Sequence, residues 1–235
     1  MKLDELISKQ RQTALVILVD PDKFNPELIK LAEKGKTKFF LVGGSKLKKN
    51  NTGKIISQIK KISNKPVILF PGDETQISNN ADGLLMLSLI SGRNPEYLIG
   101  KHVKAAAKIK KNKLSSWPTG YILIEGKNIS ATQKVTSTKG ISPSKTKTIL
   151  NTALAGELLG MKSIYLEAGS GAVKTIQGRL IKLMKQNLTI PLFVGGGIDS
   201  VVKAGKIMEA KPDYMVIGNA LEKNIYLLTE IEKLF

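Results

Sequence analysis

Four strand ends in this chain carry glycine where an anion could be gripped. They are Gly43-Gly44-Ser45, Glu167-Ala168-Gly169-Ser170-Gly171, Gly195-Gly196-Gly197 and Gly218-Asn219. Each follows an apolar run rich in β-branched residues. Glycine has no Cβ, so backbone N–H groups can come close to a ligand. Several such turns at one end of a sheet form an anion-binding concavity. A single Gly-Gly pair reads equally well as a tight turn. Coincidence at consecutive strand ends points to a phosphorylated substrate.

Acidic residues stand beside these turns. Asp20-Pro21-Asp22-Lys23 ends the first apolar run. Carboxylates there suit Mg²⁺, which takes oxygen ligands and bridges to substrate phosphates; the same residues also suit entry into a helix. Glu167 at a strand end has the chemistry of a general base, or of a plain ion-pair partner for lysine. Tyr165 lies two residues earlier and shares its strand face, as a lining residue or as core. Asp73, Glu74, Ser91, Arg93, Asn94 and Glu125 stand at other strand ends. His102 reads as an ordinary surface or packing residue on a helix, not a catalyst. Trp117, before Pro118, reads as the anchor of a loop or an interface.

The elements that must hold these residues alternate along the chain. Strands are predicted at Ala14–Asp20, Lys38–Gly44, Pro66–Gly72, Gly83–Ile90, Thr119–Gly126, Ser163–Gly169, Pro191–Gly197 and Tyr214–Asn219. Their near-continuous apolar character implies burial on both faces, as in parallel sheets. Helices are predicted at Pro26–Glu33, Thr52–Lys61, Asn94–Lys110, Lys145–Leu159, Lys174–Lys185 and Ser200–Ala210, with one more at the end. This order predicts an α/β fold, a single (β/α)8 TIM-barrel domain over residues 1–235. The stretch Asp73–Asp82 is too short and too rich in Asn and Asp for the third barrel helix. That helix is expected to be missing or replaced by extended chain, which would open a cleft on one flank. The polar stretch Lys127–Ser144 is long for a connection and reads as a lid or a loop without function.

Composition narrows the chemistry. The 235 residues include no cysteine and one histidine, so thiolate and multi-histidine metal sites are excluded. The N-terminal segment lacks an apolar signal core and no apolar run approaches the length of a membrane span, which implies a soluble cytoplasmic protein. The net charge is +18, yet only Arg11, Arg93 and Arg179 among 37 basic residues are arginine. Nucleic-acid recognition favours arginine, so the lysines read as a solvated surface, as steering for polyanions, or as attraction to an anionic membrane. On the residues alone, a phosphate-binding barrel isomerase or lyase remains open, and so does a basic nucleic-acid binder.

Seven segments together resemble the geranylgeranylglyceryl phosphate synthase family, with its bacterial heptaprenylglyceryl relatives. They are Val19–Lys23, Val42–Ser45, Phe70–Gly72, Leu89–Pro95, Tyr165–Gly171, Val194–Ile198 and Ile217–Asn219. The resemblance implies a modified barrel lacking the third helix. It implies a prenyltransferase joining sn-glycerol 1-phosphate to a long-chain prenyl diphosphate through an ether, with release of diphosphate. It assigns Tyr165, Leu166, Glu167, Ala168, Gly169, Ser170, Gly171, Gly195, Gly196, Gly218 and Asn219 to glycerol 1-phosphate. It assigns Glu167 and Tyr165 to catalysis, and Asp20 and Ser45 to Mg²⁺. Leu18 stands where some members carry lysine; the Asp-Pro-Asp sequence resembles the branch using a geranylgeranyl donor. The family also implies a homo-oligomer, dimer or hexamer, with Trp117 as an interface residue.

Overall fold

The structure, a computed structural model, describes residues 3–49, 51–126 and 128–235. Lys127, the first residue of the polar stretch, lies outside the described residues, as do Met1 and Lys2. Eight parallel strands close into a barrel in sequential order: β1 (Ala14–Val19), β2 (Thr37–Val42), β3 (Val67–Leu69), β4 (Gly83–Ser88), β5 (Ser116–Leu123), β6 (Ser163–Glu167), β7 (Leu192–Gly195) and β8 (Tyr214–Ile217), with β8 pairing β1. Around them run α1 (Leu3–Leu6), α2 (Pro26–Lys34), α3 (Thr52–Ile62), α4 (Lys101–Lys111), α5 (Ala131–Thr136), α6 (Thr146–Leu158), α7 (Gly178–Asn187), α8 (Val201–Met208), α9 (Asn219–Lys223) and α10 (Leu227–Glu232).

The strands bury both faces, and their side chains divide by the two-residue period. Val16, Phe39, Leu41, Ile68, Leu85, Tyr121, Tyr165, Phe193 and Tyr214 fill the barrel interior. Their neighbours Leu15, Ile17, Phe40, Val67, Ile122, Ile164, Leu166 and Met215 pack outward against the helices. Aromatic rings form a continuous inner stack: Tyr121 on Tyr165 at 5.3 Å, Tyr165 on Phe193 at 6.0 Å, and Phe193 on Tyr214 at 4.3 Å between centroids. Offset aromatic contacts at this range add stability beyond their buried area.

The third barrel helix is absent, as expected. Between β3 and β4 there is only a short 3-10 turn, Glu74–Gln76. The buried Gln76 side chain accepts from the Gly44 N–H (3.2 Å) and donates to the Gly44 carbonyl (2.8 Å). That clasp pins the connection to the loop after β2. The flank between β4 and α4 is left open.

Four expectations are corrected. The polar stretch is not irregular: it contains α5, started by a reciprocal capping box between Ser130 and Gln133. Trp117 is not a loop or interface anchor. It lies within β5, buried in the barrel interior, with its indole N–H donating to Ser163 Oγ at 3.1 Å. Pro118 had set the expected start of this strand too late. Proline is tolerated there because its missing N–H falls on the side where β6 has not yet begun; its carbonyl still accepts from Lys162 N. Residues Lys174–Ile176 are loop, and α7 starts after Gln177.

The N-terminal segment also contains α1, which closes the bottom of the barrel. Leu3, Leu6 and Ile7 are buried against the inner cluster, and Tyr214 donates from its hydroxyl to the Leu6 carbonyl at 3.0 Å. Ile7→Ala is expected to destabilise the fold by about 2–4 kcal/mol in denaturant unfolding. A loss under about 1 kcal/mol would show that the segment does not seal the core.

Candidate active site

Strand β6 delivers the central acid. Glu167 follows Tyr165 by two residues, so both point into the barrel. The Glu167 carboxylate is only 7% exposed. It accepts from the Gly169 N–H at 2.7 Å and from the hydroxyls of Tyr121 and Tyr165. Burial pushes its pKa up to about 7, against the pull of those three donors. The tyrosine hydroxyls are themselves pushed well above their usual value, first by burial and then by the facing carboxylate. They therefore stay protonated and serve as donors.

The other buried carboxylate, Asp213, is built differently. It sits at the opposite end of the barrel, paired with Lys185 at 2.7 Å and accepting from the Gln10 and Leu192 N–H groups. Asp213 is a structural ion pair. Glu167 has no cation among the described residues, and a buried uncompensated carboxylate facing a cleft is a candidate functional group.

The glycine turns converge beside Glu167. Gly171, Gly196, Gly197, Gly218 and Asn219 line one cavity, joined by Ser170. Ser170 Oγ donates to Asn219 Oδ1 at 2.8 Å, so the β6 and β8 junctions touch directly. Among the described residues, the N–H groups of Gly171, Gly196 and Gly197 find no protein acceptor. They are free for an anion. Gly195 and Gly196 are required by crowding: a Cβ on Gly195 would strike the Tyr165 hydroxyl, and one on Gly196 the Glu167 carboxylate. Gly196 also has φ +87, where other residues are strained.

The same cavity reaches Asp20 and Ser45 on its far side. Asp20 Oδ1 accepts from Asp22 N at 2.9 Å, and its other oxygen stands 3.8 Å from Lys23 Nζ. Ser45 Oγ lies 3.1 Å from Thr132 Oγ1 of α5. Asp22 turns away, accepting from the N–H groups of Lys48 and Lys49, so it stays a loop brace. No group of three His, Cys, Asp or Glu gathers among the described residues. One carboxylate and one hydroxyl facing a phosphate-sized cavity nevertheless fit Mg²⁺, which is held by few protein ligands when phosphate oxygens complete its shell.

A second, apolar cleft opens through the flank left by the missing helix. Leu84, Met86, Leu87, Ala105 and Ile109 line it, with His102, whose Nε2 sits 2.9 Å from the Leu87 carbonyl. His102 is a packing residue. The two spaces share Gly44, Ser45, Phe70, Tyr121 and Thr132 as a common wall.

Not every expected residue faces the cavity. Leu166 and Ala168 alternate to the outer face and pack against the helix layer, and neither lines the cavity. Ser91 accepts from Leu123 N, Asn94 donates to the Thr136 carbonyl and Glu125 pairs with Lys139, all structural. Arg93 is exposed, Asp73 caps the 3-10 turn, and Glu74 pairs with Lys101 at 3.1 Å across the cleft. Tyr121, Thr132 and Gln76 were not singled out in the sequence. The capping box Ser130-x-x-Gln133 was the one local signal that could have placed Thr132 on a helix.

Comparison with known proteins agrees with this geometry. The profile of the PcrB family matches residues 6–234. A geranylgeranylglyceryl phosphate synthase of Zunongwangia profunda is 46% identical over 94% of this chain and 96% of its own. One from Korarchaeum cryptofilum is 34% identical over 100% of this chain and 98% of its own. The crystal structure of (S)-3-O-geranylgeranylglyceryl phosphate synthase from Thermoplasma acidophilum in complex with sn-glycerol-1-phosphate superposes with a TM-score of 0.88. It is 31% identical, covering 95% of this chain and 93% of that one.

The raised Glu167 pKa has a sign that stability measurements can read. Between about 4.5 and about 7 the folded state holds a proton that the unfolded chain has lost. Stability therefore falls as pH rises through that window. Glu167→Gln removes the cost, and the variant should exceed wild type at about pH 8 by on the order of 3 kcal/mol. The gap should close towards about pH 5 in denaturant titrations; a gap independent of pH would contradict the burial of an uncompensated carboxylate.

Proposed function

We propose, from the premise that this chain belongs to the PcrB family, that it transfers a geranylgeranyl group from its diphosphate to sn-glycerol 1-phosphate. The carrying observation is the junction of two unlike spaces. A polar cavity lined by glycine turns meets an apolar cleft at Gly44, Ser45, Phe70, Tyr121 and Thr132, with Glu167 beside the junction. A phosphate-binding isomerase or lyase would need the first space and not the second. Each buried CH₂ of a prenyl tail contributes roughly 0.8 kcal/mol, so the cleft can hold the donor by its chain.

The glycine cradle of Gly171, Gly196, Gly197 and Gly218 receives the acceptor phosphate. Ser170 and Asn219 close its rim. The glycerol hydroxyl then points at Glu167. A carboxylate with a pKa of about 7 is poised to take a proton at neutral pH. As the allylic C–O bond breaks, electrons leave with the diphosphate and positive charge builds on the prenyl carbon. The glycerol oxygen forms the new C–O bond, and its proton passes to Glu167. Tyr121 and Tyr165 hold the carboxylate still through their hydroxyls, which is worth rate by orientation alone. Bound Mg²⁺, held by Asp20 and Ser45, would neutralise the departing diphosphate.

A homo-oligomer, dimer or hexamer, acting in the cytoplasm completes the proposal. Leu158 and Leu159, 87% and 79% exposed at the end of α6, offer apolar area for self-contact. No helix among the described residues is long and apolar enough to cross a membrane.

Purified protein mixed with geranylgeranyl diphosphate and radiolabelled sn-glycerol 1-phosphate should yield an organic-soluble product; none with any prenyl length rejects the reading. Glu167→Gln should lower turnover by about 10²–10⁴-fold while glycerol phosphate affinity changes less. Unaltered turnover removes the base. Asp20→Asn should raise the Mg²⁺ concentration needed for half-maximal rate, and a titration identical to wild type contradicts that role.

A further inference from the structure

The wall of the apolar cleft has an outer face that the reaction does not use. Helix α4 and the π-helical turn before it, Glu96–Gly100, turn His102, Ala105 and Ile109 towards the cleft. On the opposite face Ile99 is 58% exposed and Val103 68% exposed. Ala106 and Lys110 continue that ridge at helical spacing, and Lys104, Lys108 and Lys111 run alongside it, all exposed. The stretch Lys101–Lys113 contains six lysines and no acidic residue. Lys101 and Lys104 are paired, with Glu74 and Glu96. Lys108, Lys110 and Lys111 have no acidic partner among the described residues.

We propose that this face docks on an anionic lipid bilayer. The combination is that of an interfacial helix, with apolar side chains to enter the headgroup boundary and lysines to meet lipid charge. Charge decides against a second copy as the occupant. A two-fold contact would lay the lysine stripe against itself, and like charges across an interface are costly. Docking places the outer wall of the cleft at the bilayer surface, where an amphiphile with a long prenyl tail resides. That use of the surface rests on the transferase reading. The docking itself rests on α4 alone and is measured without turnover, so either can fail separately.

The full-length protein is sedimented with vesicles of phosphatidylcholine alone, and with vesicles in which about a third of the lipid is phosphatidylglycerol. Binding should appear with the anionic vesicles and be lost at high salt. Ile99→Ser with Val103→Ser should weaken it about tenfold at low salt. Lys108→Glu with Lys111→Glu should weaken it by at least about 25-fold, since each lysine lost near an anionic surface is worth about fivefold and each glutamate adds repulsion. The exposed pair Lys182→Glu with Lys206→Glu, on α7 and α8, is the control and should bind as wild type. No binding to anionic vesicles overturns the proposal. So does an equal loss in the control, which would mean adsorption by net charge. If the Ile99 and Val103 variant binds as wild type, or if it changes the oligomeric state in size-exclusion chromatography, the face is not a lipid surface.

Discussion

The structure turns on one unpaired charge. Glu167 is a carboxylate taken out of water and given three hydrogen-bond donors but, among the described residues, no cation. A lysine or arginine beside it would be the usual compensation, and would hold it ionised and inert as a base. Leaving the cation out costs stability and moves its proton affinity to neutrality. The remaining architecture keeps that arrangement in place: the aromatic stack beneath it, the two tyrosine hydroxyls against it, and Gly195 and Gly196 above, where any side chain would collide with Tyr165 or Glu167.

The missing third helix is the complementary constraint. A complete ring of helices would close the barrel flank with apolar side chains. Here the connection is a 3-10 turn clasped to Gly44 by Gln76, and Leu84, Met86 and Leu87 are left facing a cleft rather than a helix. In the proposed reaction the prenyl tail takes the place of protein as the apolar partner of those strands. Because Gly44 and Ser45 border both spaces, the clasp that accommodates the loss of the helix also sets the wall between the polar cavity and the apolar cleft. The fold and the shape of the two spaces therefore depend on the same residues.

Much of this was legible in the sequence because it depends on short-range pattern. Apolar runs with glycine at their ends mark buried parallel strands, and ten polar residues between Asp73 and Asp82 cannot make a barrel helix whatever surrounds them. The strand period places Tyr165 and Glu167 on one face before any coordinates. Errors arose where a local rule met a tertiary exception. Pro118 reads as a break, yet β5 accepts it because the neighbouring strand is not there to be bonded. The Ser/Thr/Lys stretch reads as loop by composition, although a capping box within it starts α5.

The sequence by itself determined the order of strands, the absence of one helix, the glycine turns and the acid that follows Tyr165. These are properties of neighbours along the chain. Only the tertiary structure decided that Tyr121 on β5 and Thr132 on α5 reach the same site, that Leu166 and Ala168 face away from it, and that Asp22 braces a loop while Asp20 faces the cavity. Those outcomes depend on barrel closure, which brings residues far apart in sequence within hydrogen-bond distance. Closure also removes water from around Glu167, and a pKa depends on that surrounding medium rather than on the residue type.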